Sequence, residues 1–227
     1  MYLGRVIGLV NERPFGVYAV SGRSEGSKAR RFVIKDPLTV ATEPLGELTA
    51  EQMEMMDLIF YNAIKVHPDR KRVVISNGSQ TDHILLALCD SENPDYSLAI
   101  ARGFVEAGGA EPDTYRTPRI AGIIDNGGGL ALGIVTEHGL NVETLGNSDI
   151  QRRYISTYAG HLDDPRAVVV SGLEIPTGTF NLEGHTAQDL ADNMYGWMDP
   201  ALVVCTAAAL WDPRKENWNL AVRNLHE

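Results

Sequence analysis

The chain has 227 residues, 44% of them hydrophobic and 22% charged, with a formal net charge of −10 and a pI near 5.1. That composition gives an ordinary globular core in one compact unit, and the acidic balance excludes nucleic acid, whose phosphate backbone demands a dense basic face. No apolar run approaches the roughly 18 residues of a membrane-crossing helix, so membrane partners are excluded too, whereas a small anion held by one or two arginines is not.

The opening third alternates short apolar runs with turn residues. Gly4–Val10 and Phe15–Val20 read as strands around Asn11-Glu12-Arg13-Pro14, and Arg31–Lys35 and Leu38–Thr42 as strands around Asp36-Pro37. Glu47–Leu58 has helical spacing, with Met53 and Met56 on a face read as core. Phe60–Val66 and Arg72–Ser76 are strands, the second feeding a helix with Ile84, Leu85 and Leu88 inward. A second helix starts at Asn93-Pro94, Asn93 as cap, with Leu98, Ala101 and Val105 as its buried stripe. Arg119–Ile124 and Leu130–Thr136 flank Asp125-Asn126-Gly127-Gly128-Gly129, a hairpin signal. Leu140–Leu145 and Tyr154–Tyr158 follow as strands, Thr186–Trp197 as a helix, and Leu202–Leu210 with Trp218–Val222 as a closing hairpin. Hairpins at both ends with a few helices between them predict an α+β layered fold on antiparallel sheets, not a Rossmann fold.

The common motifs are missing. The six histidines show no His-x-His or His-Glu-x-x-His spacing, and Cys89 and Cys205 are too far apart for a Cys-x-x-Cys zinc site, so no metal is expected. Both cysteines lie in apolar segments and read as buried free thiols of a reducing cytoplasm. The start, from Met1 to Ile7, has no signal-peptide character, which again fits a cytoplasmic protein. Gly127-Gly128-Gly129 lacks the Lys-Ser/Thr ending of a phosphate loop and reads as a turn.

Three clusters carry possible chemistry. Ser21-Gly22-Arg23-Ser24 places hydroxyls around an arginine at a strand end, which suits phosphate recognition or simply a solvated turn. Asn77-Gly78-Ser79-Gln80-Thr81-Asp82 sits where a buried strand meets a helix start, whose free N–H groups favour an anion, although Ser79, Thr81 or Asp82 also fits an ordinary N-cap. Glu111-Pro112-Asp113-Thr114-Tyr115-Arg116-Thr117-Pro118-Arg119 gathers two carboxylates, a phenol and two arginines at the start of a strand, the materials for acid–base chemistry beside an anion site or for a polar surface loop.

Taken in order, these clusters resemble the archaeal IMP cyclohydrolase family. The resemblance rests on Tyr2-Leu3-Gly4-Arg5, Val20-Ser21-Gly22-Arg23-Ser24, Tyr61-Asn62, Asn77-Gly78-Ser79 with Thr81-Asp82, Glu111-x-Asp113, Thr117-Pro118-Arg119-Ile120 and Tyr154-Ile155-Ser156-Thr157-Tyr158. It covers about the first two-thirds of the chain, and no motif aligns after roughly Gly160. The family often has a second serine where Gly22 stands and a more polar continuation than Ala159-Gly160.

The resemblance implies one domain over residues 1–227, a four-layer αββα sandwich of the N-terminal-nucleophile-hydrolase type. Position 2 is Tyr, so the self-processed nucleophile of that superfamily is not expected, and fold analogy does not make this a peptidase. The implied activity is closure of 5-formamidoimidazole-4-carboxamide ribonucleotide to IMP with loss of water, in purine biosynthesis. The implied partner is a small purine nucleotide, with no cofactor required and homo-oligomer formation left open. Glu111 is implied for proton transfer with Tyr61, Asn62 and Asn77 for the carboxamide or formyl oxygen, and Arg23 and Arg119 for phosphate or oxyanion. Ser21, Ser24, Gly78, Ser79 and Asp82 complete the binding set, and Tyr158 is implied to stack on the base or hold the ribose. A related amidohydrolase acting on another amide and a non-catalytic nucleotide-binding protein are the alternatives.

Overall fold

The computed structural model describes residues 2–23, 25–47, 53, 56–146, 149–161, 164–167 and 177–226. From the N-terminus come β1 (Arg5–Val10), β2 (Phe15–Ser21), a single helical turn α1 (Glu25–Lys28), β3 (Arg30–Asp36) and β4 (Thr39–Pro44). The turn α2 (Met56–Ile59), β5 (Asn62–Val66), β6 (Arg72–Ser76), α3 (Gln80–Cys89) and α4 (Tyr96–Glu106) follow. Next are β7 (Arg119–Asp125), β8 (Leu130–Thr136), β9 (Gly139–Leu145), β10 (Arg152–Ser156), β11 (Tyr158–His161), β12 (Asp164–Ala167) and β13 (Thr177–Thr179). Helix α5 (Ala187–Trp197) and the pair β14 (Val203–Asp212) and β15 (Asn217–Asn224) close the chain.

The strands form a six-stranded sheet, β13-β10-β1-β2-β14-β15, and a seven-stranded sheet, β3-β4-β5-β6-β7-β8-β9, with β11 and β12 paired alone. The pairings are antiparallel, and three predicted hairpins close in register, Val10 opposite Phe15, Ile124 opposite Leu130 and Asp212 opposite Asn217, while the pair around Asp36-Pro37 shifts register between Ile34 and Asp36. The chain is α+β, with three helices of ten or eleven residues.

Successive side chains of a strand point to opposite faces, and the apolar runs use both. On β1, Ile7 and Leu9 join a cluster with Tyr18, Ile120 and Ile124 from both sheets, while Val6 and Val10 join Val17, Ala19, Leu190 and Met194 under α5. On β7, Ala121 and Ile123 turn the other way, against Ile84, Leu88, Ile100 and Phe104 of α3 and α4. Strands buried on both faces explain why the sequence shows continuous apolar runs rather than alternation. Fully burying side chains such as Ile7 or Phe104 contributes about 1.5–3 kcal/mol each.

Four sequence expectations are corrected. Helix α4 starts at Tyr96, capped by Asp95, whose carboxylate accepts from the Ser97 and Leu98 N–H groups, so Asn93 is not the cap. Its buried face is Ala99, Ile100, Gly103 and Phe104, whereas Leu98 and Val105 are 67% and 72% exposed. A Cβ at Gly103 would collide with Ile84, so the small-residue face is the one that lets α3 and α4 lie side by side. Met53 and Met56, expected in the core, are exposed. Cys89 ends α3 exposed, its Sγ 3.2 Å from His67 Nε2, while Cys205 is buried as expected.

The predicted strand Tyr154–Tyr158 breaks at Thr157, whose Oγ1 accepts the Arg5 N–H at 3.0 Å while its own N–H reaches the Arg5 carbonyl. Gly4 makes this possible. Its φ of +68° lies in the region that favours glycine, and a Cβ there would strike Thr157 Oγ1 and the Tyr158 ring. The interruption brings the start of β1 against the residues that precede β7, which is where the site forms.

Candidate active site

Glu111 is 2% exposed and stands at the head of a loop that folds back on itself before β7. Its N–H donates to the Thr117 carbonyl, and Thr117 in turn donates N–H and hydroxyl to the Asp113 carboxylate at 2.7 and 2.5 Å. Asn77 Nδ2 donates to Glu111 Oε1 at 3.2 Å and to the Pro118 carbonyl, while Asn77 Oδ1 accepts from Ile120 N–H and Gln80 Nε2. Both donors and both lone pairs of Asn77 are therefore spent. Its place at the end of β6 ties that strand to the start of β7 and fixes the carboxyl of Glu111.

The second oxygen of Glu111 faces Arg5, with Nη1 to Oε2 at 3.4 Å. Arg119, 4% exposed, donates Nε to the Gly109 carbonyl and Nη1 to Gln80 Oε1. Gly78 lets it in, because a Cβ at that position would strike Arg119 Nη1 and Gln80 Oε1. Burial pushes the Glu111 carboxyl above its ordinary value, against the opposing pull of Arg5 and Arg119. Burial lowers the pKa of Arg119 and Arg30; in Arg5 burial pulls the same way, but the combined attraction of Glu111 and the Tyr61, Tyr18 and Tyr158 hydroxyls outweighs it and holds the proton more firmly.

Two phenols close the other side. Tyr18 of β2 and Tyr61, just before β5, share a hydrogen bond between their hydroxyls at 2.7 Å. Burial raises both pKa values, and in Tyr61 Arg5 and Arg30 pull against it. Arg30, 5% exposed, donates Nε to the Ser27 carbonyl, but its Nη1 is buried and has no hydrogen-bond partner among the described residues. An unmet buried cationic donor costs free energy, so an anion or a water molecule that reached it would be stabilised there.

At the rim, Tyr158 OH bonds Thr117 Oγ1 at 2.7 Å, its ring lies 5.5 Å from that of Tyr2, and Arg23 stands 5.0 Å over Tyr2 and 5.8 Å from the exposed Tyr115 ring. Arg5, Arg30 and Arg119 surround Glu111 with Asp113 nearby, and Arg23 adds a further cation at the rim over Tyr2, an excess of positive charge in an acidic protein. The arrangement can bind an anion, donate or accept a proton at Glu111, and polarise an oxygen with phenol and guanidinium donors.

Of the residues singled out in the sequence, Glu111, Tyr61, Asn77, Gly78, Arg119 and Tyr158 belong to this centre or its walls. Arg23 is at the rim, and Ser24 lies outside the described residues. Ser21 spends its hydroxyl on the Gly4 carbonyl at 2.7 Å. Asn62, Ser79 and Asp82 form a separate group bordering a cavity of about 250 Å³ with Tyr61 and Lys35. There the Asp82 carboxylate accepts from Asn62 Nδ2 at 3.0 and 3.1 Å and from Lys65 Nζ at 2.9 Å. Ser79 occupies the cap position of α3 without a side-chain cap bond. Sequence reading missed Tyr18 and Arg30, and it quoted Arg5 and Gln80 within its motifs without giving them a role. The available signal was a charged or polar side chain at an inward position of a strand or helix otherwise made of core residues. Among the described residues no group of three or more His, Cys, Asp or Glu has the arrangement of a metal site, and no helix is long and apolar enough to cross a membrane.

An α+β protein with a buried acid, paired phenols and surplus guanidinium groups is an enzyme of small-anion chemistry in its outline. Residues 2–216 match the family described as IMP cyclohydrolase-like protein. An IMP cyclohydrolase from Methanocaldococcus jannaschii is 28% identical over 215 residues, covering 93% of this chain and 95% of its own. One from Methanothrix thermoacetophila is 28% identical across 99% of both chains, and one from Methanosphaera stadtmanae is 32% identical over 70% of this chain and 74% of its own. The chain belongs to the IMP cyclohydrolase-like family and is an enzyme of the IMP cyclohydrolase type. The match runs well past Gly160, so the last third, where no motif aligned, belongs to the same family.

Proposed function

We propose that the centre around Glu111 closes 5-formamidoimidazole-4-carboxamide ribonucleotide to IMP, with Glu111 moving the protons and the guanidinium cluster holding the phosphate and the developing oxygen charge. The observation that carries this is a fully buried carboxyl whose proton is held unusually firmly, placed among guanidiniums of which one, Arg30, has an unmet donor. A phosphate monoester carries about −1.5 to −2 charge near neutrality, which matches the surplus. Three clusters of core residues separate helix, sheet, sheet and helix, which supports the four-layer αββα sandwich of the N-terminal-nucleophile-hydrolase type. The purine nucleotide substrate and a cytoplasmic setting follow from the same reading.

Ring closure needs orientation before anything else, because an amide nitrogen is a weak nucleophile. Holding the formamide in the closing rotamer makes the attack intramolecular, worth effective molarities of roughly 10⁵ M and above. The carboxamide nitrogen forms a C–N bond to the formyl carbon and loses one proton, and the former formyl oxygen takes one up. A second proton, from the formamide nitrogen, follows as the C–O bond breaks and water leaves. Glu111 is the buried group able to give and retrieve these protons, Tyr61 supplies a further hydroxyl to the oxygen, and Arg5 offsets its charge. Arg30 and Arg23 hold the phosphate, and Tyr158 and Tyr2 wall the base or ribose.

Purified protein incubated with the formyl ribonucleotide, without added metal, should form IMP in step with substrate loss. Folded protein that gives no turnover overturns the proposal. Binding of IMP without turnover, with Glu111 dispensable, favours a nucleotide-binding protein, and hydrolysis of another amide favours a related amidohydrolase.

A further inference from the structure

Tyr18 is 0% exposed and lies in mid-β2, opposite Ile7 of β1 and Ala207 of β14, with its ring 5.5 Å from Phe32. No residue of the clusters read in the sequence predicts a polar role for it. Yet its hydroxyl meets the Tyr61 hydroxyl at 2.7 Å, beneath Arg5. The two phenols carry two hydroxyl hydrogens and share one hydrogen bond, and among the described residues neither hydroxyl makes another. One hydrogen is therefore spent within the pair and the other is free. Tyr61, 7% exposed, is the outer member, and its hydroxyl stands in the field of Arg5, Arg30 and Glu111. The inner phenol has no second acceptor to turn to.

We propose that Tyr18 is a positioning residue: it donates its hydroxyl hydrogen to Tyr61 Oη and so aims the Tyr61 hydrogen at the substrate oxygen. This rests on the reading of Tyr61 as a hydroxyl donor to that oxygen. A strand between two paired neighbours holds Tyr18 more rigidly than the irregular step before β5 holds Tyr61, whose N–H is tied to Thr42 Oγ1 at 2.8 Å. Donation from Tyr18 also favours the charged form of Tyr61 over what burial alone would allow. The phenol therefore yields its proton more readily to a developing oxyanion.

The test compares Tyr18→Phe, Tyr61→Phe and the double variant in steady-state IMP formation across pH. Loss of a neutral hydrogen bond worth about 0.5–1.5 kcal/mol corresponds to a roughly 2- to 13-fold fall in kcat for Tyr18→Phe, with KM within about twofold of the wild type. The basic limb of the pH profile should move to higher pH, because Tyr61 loses the donor that stabilised its phenolate. In the double variant kcat should equal that of Tyr61→Phe, since Tyr18 has nothing left to position. A Tyr61→Phe variant with wild-type kcat refutes the reading of Tyr61 itself. A slow Tyr61→Phe beside a Tyr18→Phe with unchanged kcat and pH limb, or additive effects in the double variant, overturns only the role of Tyr18. Replacement of Tyr18 by 3-fluorotyrosine, a stronger donor of nearly the same shape, should move the limb to lower pH, and no movement refutes the proposal even where the Phe variant fails to fold.

Discussion

Replacing Glu111 by Gln separates catalysis from folding more cleanly than any other change in this site. The amide keeps the shape of the side chain, and its oxygen can still accept from Asn77 Nδ2, now at 3.2 Å. Its NH₂ then faces Arg5 Nη1, now 3.4 Å from Glu111 Oε2, so a donor meets a donor, at a cost of about 1–3 kcal/mol. Against this stands the burial of Glu111, which disfavours its charged form more strongly than Arg5 and Arg119 favour it. A carboxyl whose folded pKa is raised adds stability below its unfolded pKa, and that contribution is lost as pH rises through the folded value. A neutral amide escapes the loss. The two effects oppose each other, and a net change of 1–2 kcal/mol moves Tm of a chain this size by only about 2–8 °C. Catalysis has no such compensation: the amide neither gives nor takes a proton, and general acid–base catalysis contributes on the order of 10² to 10⁴ in rate. We expect kcat to fall by that factor in steady-state IMP formation, with KM within about threefold and cooperative melting retained. A folded Glu111→Gln protein with kcat within tenfold of wild type (about 1.4 kcal/mol,) would remove Glu111 from the proton path.

Arg30→Met should raise KM by roughly 10- to 150-fold through loss of charge-assisted hydrogen bonds worth about 1.5–3 kcal/mol. The ligand-free protein should melt close to wild type, since loss of the Nε bond to the Ser27 carbonyl is offset by removal of a buried cation whose Nη1 has no partner among the described residues; unchanged KM would show that the phosphate lies elsewhere. Asp82→Ala, which frees Asn62 and Lys65 at the surface, should raise KM by about 2- to 13-fold, the worth of one hydrogen bond to substrate held by that group. It should leave kcat unchanged, and a fall in kcat at constant KM would mean that the two groups act as one. In native protein a thiol reagent should label one cysteine, Cys89, while Cys205, pushed up to about 12 by burial, reacts only on unfolding; mass spectrometry of the labelled peptides decides between them.

The hairpins were legible because their turns carry local chemistry. Asn11–Pro14, Asp125–Gly129 and Asp212–Lys215 mark chain reversals whatever surrounds them. The helix expected over Thr186–Trp197 starts where Thr186 stands, and the structure gives the reason: the Thr186 hydroxyl accepts from the Asp189 N–H while the Asp189 carboxylate accepts from the Thr186 N–H. The face of α4 was not legible. Its sequence carries two apolar stripes, and the choice fell to Gly103 against Ile84, a tertiary fit that no single helix encodes. The same holds for the site. Glu111, Asn77 and Arg119 lie in polar clusters that attract notice and Tyr61 enters through the family resemblance, whereas Arg5 and Tyr18 sit inside expected strands and Arg30 just before one. Arg30 is buried and Arg31 is exposed, as strand alternation requires of a pair. Which of the two turns inward depends on the register of β3 with β4, and that is fixed across the sheet rather than in the chain.

The charge of the centre also bears on when Glu111 becomes an acid. In the free protein, burial holds its proton firmly but the surrounding guanidiniums oppose this. A phosphate monoester bound among Arg23 and Arg30 brings negative charge and neutralises part of that opposition. A nearby anion disfavours a carboxylate, so the folded pKa of Glu111 rises further when substrate binds. The bound state then holds more protons than the free state, and by linkage nucleotide affinity must fall as pH rises through the window between the two values. On the proposed roles, substrate binding therefore favours the protonated form of the group that later gives up the proton. Calorimetry of IMP binding in two buffers of different ionisation enthalpy measures the proton directly. Uptake should appear in wild-type protein and shrink in Glu111→Gln, and uptake that persists undiminished in the variant would assign the titration to another group.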